Sequence, residues 1–118
     1  MRNLLPHRRP SVTIQTEWQG HQITVTAGYY PSGEIGEVFA DVQKGALRAV
    51  LADACTIASI ALQHGVKPEE LNKSMGRIPV MEWDAATQQM VESERPASPI
   101  GAVLEALLQE VSLAKSYG

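Results

Sequence analysis

Apolar and polar residues alternate with a period of two from Val12 to Trp18. Val12, Ile14, Thr16 and Trp18 fall on one side, and Thr13, Gln15 and Glu17 on the other, as in a half-buried strand. Gln19-Gly20 makes a short turn. The alternation then resumes, with Ile23, Val25, Ala27 and Tyr29 set against Thr24, Thr26 and Gly28. Tyr30-Pro31-Ser32-Gly33 reads as a second turn. A third strand, Ile35 to Val42, puts Val38, Ala40 and Val42 on one face and Glu37, Phe39 and Asp41 on the other. Three short strands with tight connections predict an antiparallel meander whose apolar face must be covered.

The spacing changes from two to about 3.6 over Ala46–His64. Leu47, Val50, Leu51, Ala54, Ala58, Ala61 and Leu62 form a helical stripe, which Ile57 and Ile60 widen. Only Arg48 and Asp53 carry formal charge before His64. A helix this apolar is expected to lie between the sheet and a further helix or subunit. His64-Gly65 supplies its C-terminal stop. Pro68-Glu69-Glu70-Leu71 opens a short helix ending near Met75-Gly76. Residues 76–97 have weak periodicity and predict an irregular or hairpin-like excursion. Ser98-Pro99 caps a closing helix with the stripe Ile100, Val103, Leu104, Leu107, Leu108 and Val111. The expectation is an α+β fold: an N-terminal arm over residues 1–11, then one domain over 12–118. In it, a three-stranded meander is covered by a long apolar helix, a short helix and a C-terminal helix.

Bulk properties narrow the function classes. At 118 residues the chain can bury one small core. A net charge of −3 argues against general nucleic-acid binding. The lone cysteine excludes an internal disulfide and points to a cytoplasmic protein. The first residues lack the apolar stretch of a signal peptide, and no run of 18 apolar residues predicts a membrane span.

Candidate chemistry is sparse. Cys55, in mid-helix between Ala54 and Thr56, reads as a buried thiol without a base, and Ser59 as a helix-facing hydroxyl bonding back to a carbonyl. His7, His21 and His64 are too scattered for a metal site. His21 reads as a surface residue and His64 as a helix-end cap. Glu34 and Glu37 flank Gly36 without the pairing that acid–base catalysis needs, and Glu37 is a candidate partner for an arginine or for backbone donors. No catalytic residue is assigned. Two readings of the basic positions stay open. Arg8 and Arg9 belong either to a solvated arm or to a phosphate contact. Lys44 and Gly45, just before a helix N-terminus, make either an ordinary turn or an anion site. Core is the default for Trp18 and Tyr29, whereas Tyr30 and Phe39 are candidates for an interface, together with Ile57 and Ile60.

The order Leu5-Pro6-His7-Arg8-Arg9, Gly20-His21, Thr26-Ala27-Gly28-Tyr29, Gly36-Glu37-Val38-Phe39, Lys44-Gly45 and Ser59 to Val66, closing with Ile100-Gly101 and Tyr117-Gly118, resembles the TSCPD domain. That domain occurs near the C-terminus of adenosylcobalamin-dependent (class II) ribonucleotide reductases and as small stand-alone proteins. The similarity spans most of the chain except roughly residues 76–95. It implies association with ribonucleotide reduction and DNA-precursor synthesis, and a homodimer or larger homo-oligomer with a reductase as a further partner. It does not imply radical catalysis, because the reductase barrel cannot fit in this length and Cys55 matches no catalytic position of the family. Gly45-Ala46 stands where the family has glycine-serine, which counts against the phosphate role. The expected function is therefore a self-associating, non-catalytic accessory domain without a cofactor. The alternatives are a nucleotide- or phosphate-binding module and an accessory component of a ribonucleoside-diphosphate reductase.

Overall fold

The computed structural model describes residues 1–43 and 45–117, with side chains as far as Val111. In chain order the elements are β1 (Ser11–Trp18), β2 (His21–Tyr29), β3 (Ile35–Asp41), α1 (Gly45–Gln63), α2 (Pro68–Ser74), β4 (Arg77–Asp84), β5 (Gln89–Pro96) and α3 (Pro99–Tyr117). The first three strands form the antiparallel sheet β1-β2-β3, and β4 and β5 form a separate hairpin. The β1–β2 connection is a two-residue turn in which Gln19 (φ 48°) and Gly20 (φ 82°) are both left-handed. Such turns match the twist of the flanking strands.

The sheet's inner face is capped as its alternation requires. Ile23, Val25 and Ala27 of β2 and Val38 of β3 are fully buried against Leu51, Ala58 and Leu62 of α1 and Val103 and Leu107 of α3. The closing helix starts as the sequence predicts, with Ser98 Oγ accepting a hydrogen bond from the Gly101 amide at 3.2 Å. α1 stops at Gly65 (φ 97°). There the Gly65 amide donates to the Leu62 carbonyl and the Val66 amide to the Ala61 carbonyl, which satisfies two terminal acceptors.

The buried row of α1 differs from the expected one. It consists of Leu51, Cys55, Ala58, Ser59, Leu62 and Gln63, while Val50 and Ile57 are 65% and 69% exposed. The helix lies along the outer edge of β3 as well as beneath the sheet, so the inward row includes polar groups that answer that edge. Among the described residues nothing covers the opposite face. By length and mean hydropathy alone (19 residues, 1.6) α1 is long and apolar enough for a bilayer span, a test that sheet-covering core helices also pass. Its polar row is bonded to β3, however, which ties the helix to the sheet.

Residues 76–97 resolve to the hairpin alternative. Two eight-residue strands pair in unbroken register from Arg77↔Pro96 to Asp84↔Gln89. The turn is held by the Gln88 amide donating to the Asp84 carbonyl and the Ala86 amide to the Asp84 carboxylate. The hairpin is anchored at its base by Trp18 Nε1 donating to the Pro96 carbonyl at 3.1 Å. The radius of gyration is 15.4 Å, against about 13–14 Å for a compact chain of this length.

Candidate functional site: an arm clasp and a sealed strand edge

Glycine spacing builds the first half of the site. Gly28 on β2 faces Glu37 on β3. A Cβ at Gly28 would lie 2.4 Å from Glu37 Oε1, so only glycine lets the carboxylate fold across the strand pair. One residue earlier the register shifts and Gly36 is passed over, a bulge that turns the local backbone outward. A Cβ there would meet the Tyr30 ring at 2.5 Å and Leu5 at 2.9 Å.

Glu37 fills the first gap, the Tyr30 ring and Leu5 of the N-terminal arm fill the second, and the arm bonds to both Glu37 and Tyr30. Arg9 Nε donates to Glu37 Oε1 at 2.5 Å, and its Nη1 donates to the carbonyls of Pro6 at 2.8 Å and His7 at 3.3 Å. The pair is largely buried on both sides, which strengthens a charge-assisted bond. The Tyr30 hydroxyl donates to the Asn3 carbonyl. The Asn3 amide donates to the Gln63 carbonyl at 2.7 Å, and Arg2 Nε to Gln63 Oε1 at 2.6 Å. Burial raises the Tyr30 phenol above its ordinary value, Arg2 opposes the rise, and Glu37 and Glu34 add to it.

The second half is a ladder of side chains along the edge of β3. Ser59 Oγ accepts from the Val38 amide at 2.9 Å and donates to the Val38 carbonyl at 3.1 Å. Gln63 Nε2 donates to the Gly36 carbonyl at 3.0 Å. Cys55, one turn before Ser59, is buried beside the Ala40 backbone. Burial pushes its thiol up to about 11, and the Ala40 backbone lowers it slightly. Residues 55, 59 and 63 thus address residues 40, 38 and 36. The match is geometric: four residues of helix rise about 6 Å and two of strand about 6.6 Å. An edge strand with free amides invites foreign pairing, and here three helical side chains occupy it.

The predicted site residues are not brought together. Arg9 sits on Glu37, and Arg8 is exposed in the arm. Gly45 opens α1 beyond the other end of β3, with Glu37 to Asp41 alone spanning about 13 Å of strand. Lys44 lies outside the described residues. Glu34 pairs with Lys67 at 3.3 Å, away from Glu37. Phe39, Ile57 and Ile60 are exposed, whereas Tyr30 is engaged with the arm. His21 is not a plain surface residue, because its ring stacks on Trp18 at 6.2 Å. Ser59 bonds across to β3 and not to its own helix. Two clefts of about 410 and 390 Å³ flank the clasp and share Tyr30, Glu34, Leu62 and Gly65. No group of three potential metal ligands occurs among the described residues. The sequence reading assigned no site role to Gly28 or Gln63; for Gln63 the signal was a cysteine, a serine and a glutamine four residues apart in a largely apolar helix.

Over 71 residues the chain is 37% identical to the vitamin B12-dependent ribonucleotide reductase of Agrobacterium fabrum, a match covering 58% of this chain and 6% of the reductase. The corresponding reductases of Bradyrhizobium diazoefficiens and Streptomyces coelicolor are 34% and 39% identical over the same length, covering 6% and 7% of those proteins. The chain therefore spans a small fraction of the curated relatives it matches. No solved structure matches it. The TSCPD domain model matches residues 2–111, and with nearly the whole length inside that match, the chain belongs to the TSCPD domain family.

Proposed function

We propose that this chain is a non-catalytic accessory domain of ribonucleotide reduction, cytoplasmic and self-associating, which acts by docking and carries out no bond chemistry of its own. The observation that carries the reading is the outer face of α1. Val50 and Ile57 stand two-thirds exposed beside Ile60 on a helix of mean hydropathy 1.6, and apolar surface of that kind marks contact sites. Ile57 and Ile60 are the centre of the proposed interface, with Phe39 and Tyr30 as further contacts. The residues that carry the family resemblance support the same reading, because Arg9, Gly28, Glu37 and Gln63 fasten the arm and seal an edge. Its sole cysteine is a buried thiol with a raised pKa, the opposite of an activated nucleophile.

Sedimentation equilibrium at micromolar concentration tests the reading. A dimer or larger species that Ile57→Ser/Ile60→Ser dissociates is expected; a strict monomer contradicts self-association. Omitting the chain from a reconstituted B12-dependent reductase should reduce association or regulation without abolishing radical turnover. The second reading, a nucleotide- or phosphate-binding module using Arg8, Arg9, Lys44 and Gly45, rests on the exposed Arg8 and the start of α1. Calorimetry with nucleoside di- and triphosphates discriminates: binding heat lost in Arg8→Ala favours the module, and no heat with any of them removes it.

A further inference from the structure

The two edges of the three-stranded sheet are treated oppositely. At β3 the outward amide and carbonyl of Val38 and the carbonyl of Gly36 are bonded by Ser59 and Gln63 of α1. At β1 the ladder fixes which groups point out. The Tyr29 amide donates to the Pro10 carbonyl, so even-numbered residues of β1 bond to β2 and the odd ones face away. The amides and carbonyls of Ser11, Thr13, Gln15 and Glu17 therefore form an open row, and none of them has a backbone partner among the described residues. The strand has eight residues without a bulge, a lysine or an internal proline, the devices that normally guard an edge. Its inward side chains Val12, Ile14 and Trp18 are only half-buried, whereas Ile23, Val25 and Ala27 of β2 are completely so.

The geometry points to β1 as a strand-pairing surface whose occupant is β1 of a second copy, antiparallel about a two-fold axis at Ile14. This deepens the self-association reading and rests on it, but it uses the edge opposite to α1. The strand is self-complementary in that register. Ile14 meets its own equivalent and Val12 meets Thr16 on the apolar face; Thr13 meets Gln15 and Ser11 meets Glu17 on the polar face. No like charges oppose, which would disfavour pairing. All four outward residues exchange backbone bonds, roughly eight in total, and the two sheets become one of six strands. If both surfaces operate, β1 pairing joins α1-linked pairs into a larger assembly.

The test uses amide exchange and sedimentation on the whole chain. In the associated protein the Thr13 and Gln15 amides should be protected, by at least about tenfold relative to a dilute monomeric sample. Gln15→Pro removes an outward donor that β2 does not use, a substitution edge strands tolerate. It should halve the assembly mass while circular dichroism stays native. Thr13→Glu/Gln15→Glu, which sets like charges opposite each other, should do the same without a backbone change. Protected outward amides in the unsubstituted protein together with a halved mass in both variants support the pairing. An unchanged mass in both variants, with fast exchange at Thr13 and Gln15 of the unsubstituted protein, overturns it and leaves self-association through α1 standing. A monomer at every concentration overturns both.

Discussion

The three-stranded sheet and the β4–β5 hairpin are built from strands of similar length but differ in what lies behind them. β2 has a helix layer beneath it, and its Ile23, Val25 and Ala27 are completely buried. The hairpin contributes no fully buried residue. Its outer face presents Met81, Trp83 and Met90, with Trp83 62% exposed and opposite Met90. Pairing alone therefore does not make a core; a two-stranded ribbon is marginal until something covers a face. The sheet stores the stability of the fold, and the hairpin is held chiefly by its base and by ion pairs such as Arg77 with Glu94 and Glu105, and Arg95 with Glu82.

Substitutions sharpen that contrast. Leu107→Ala, which empties a fully buried site beneath the sheet, should cost about 2–5 kcal/mol in urea unfolding. Ser59→Ala leaves both backbone groups of Val38 without a partner and should cost about 1–3 kcal/mol, with faster exchange of the Val38 amide. Cys55 gives a pH test. Burial raises its folded pKa to about 11, above the ordinary thiol value of 9.0, so the unfolded chain loses the proton first. The contribution is complete below about pH 9 and lost as pH rises through 11, on the order of 2 kcal/mol. Cys55→Ala should flatten the stability curve over that window. Trp83→Ala should change stability by no more than about 0.5 kcal/mol; a loss comparable to that of Leu107→Ala would mean the hairpin is packed as tightly as the sheet.

The same contrast explains what could be read from the chain. The meander was legible because one covered face imposes strict alternation on Val12–Trp18 and Ile23–Tyr29. The closing helix was legible because Ser98-Pro99 is a local cap. The hairpin was ambiguous because neither face is fully covered, so Ile78, Met81 and Trp83 follow no single period. Its turn also gives no glycine signal, since Gln88 takes the left-handed position (φ 56°). The inward row of α1 was misjudged by apolarity, because Ser59 and Gln63 are buried by what they bond. Arg9 and Glu37 were each noted, but their meeting depends on the space that Gly28 leaves, a three-body relation invisible to pairwise spacing.

The central claim is that the family-bearing residues fasten the arm to the sheet. A double-mutant cycle on Arg9→Met and Glu37→Gln, followed by urea unfolding, measures this most directly. The clasp predicts a coupling of about 1 kcal/mol between the two positions. Effects that add to within about 0.3 kcal/mol would contradict it and return Arg9 to the solvated arm.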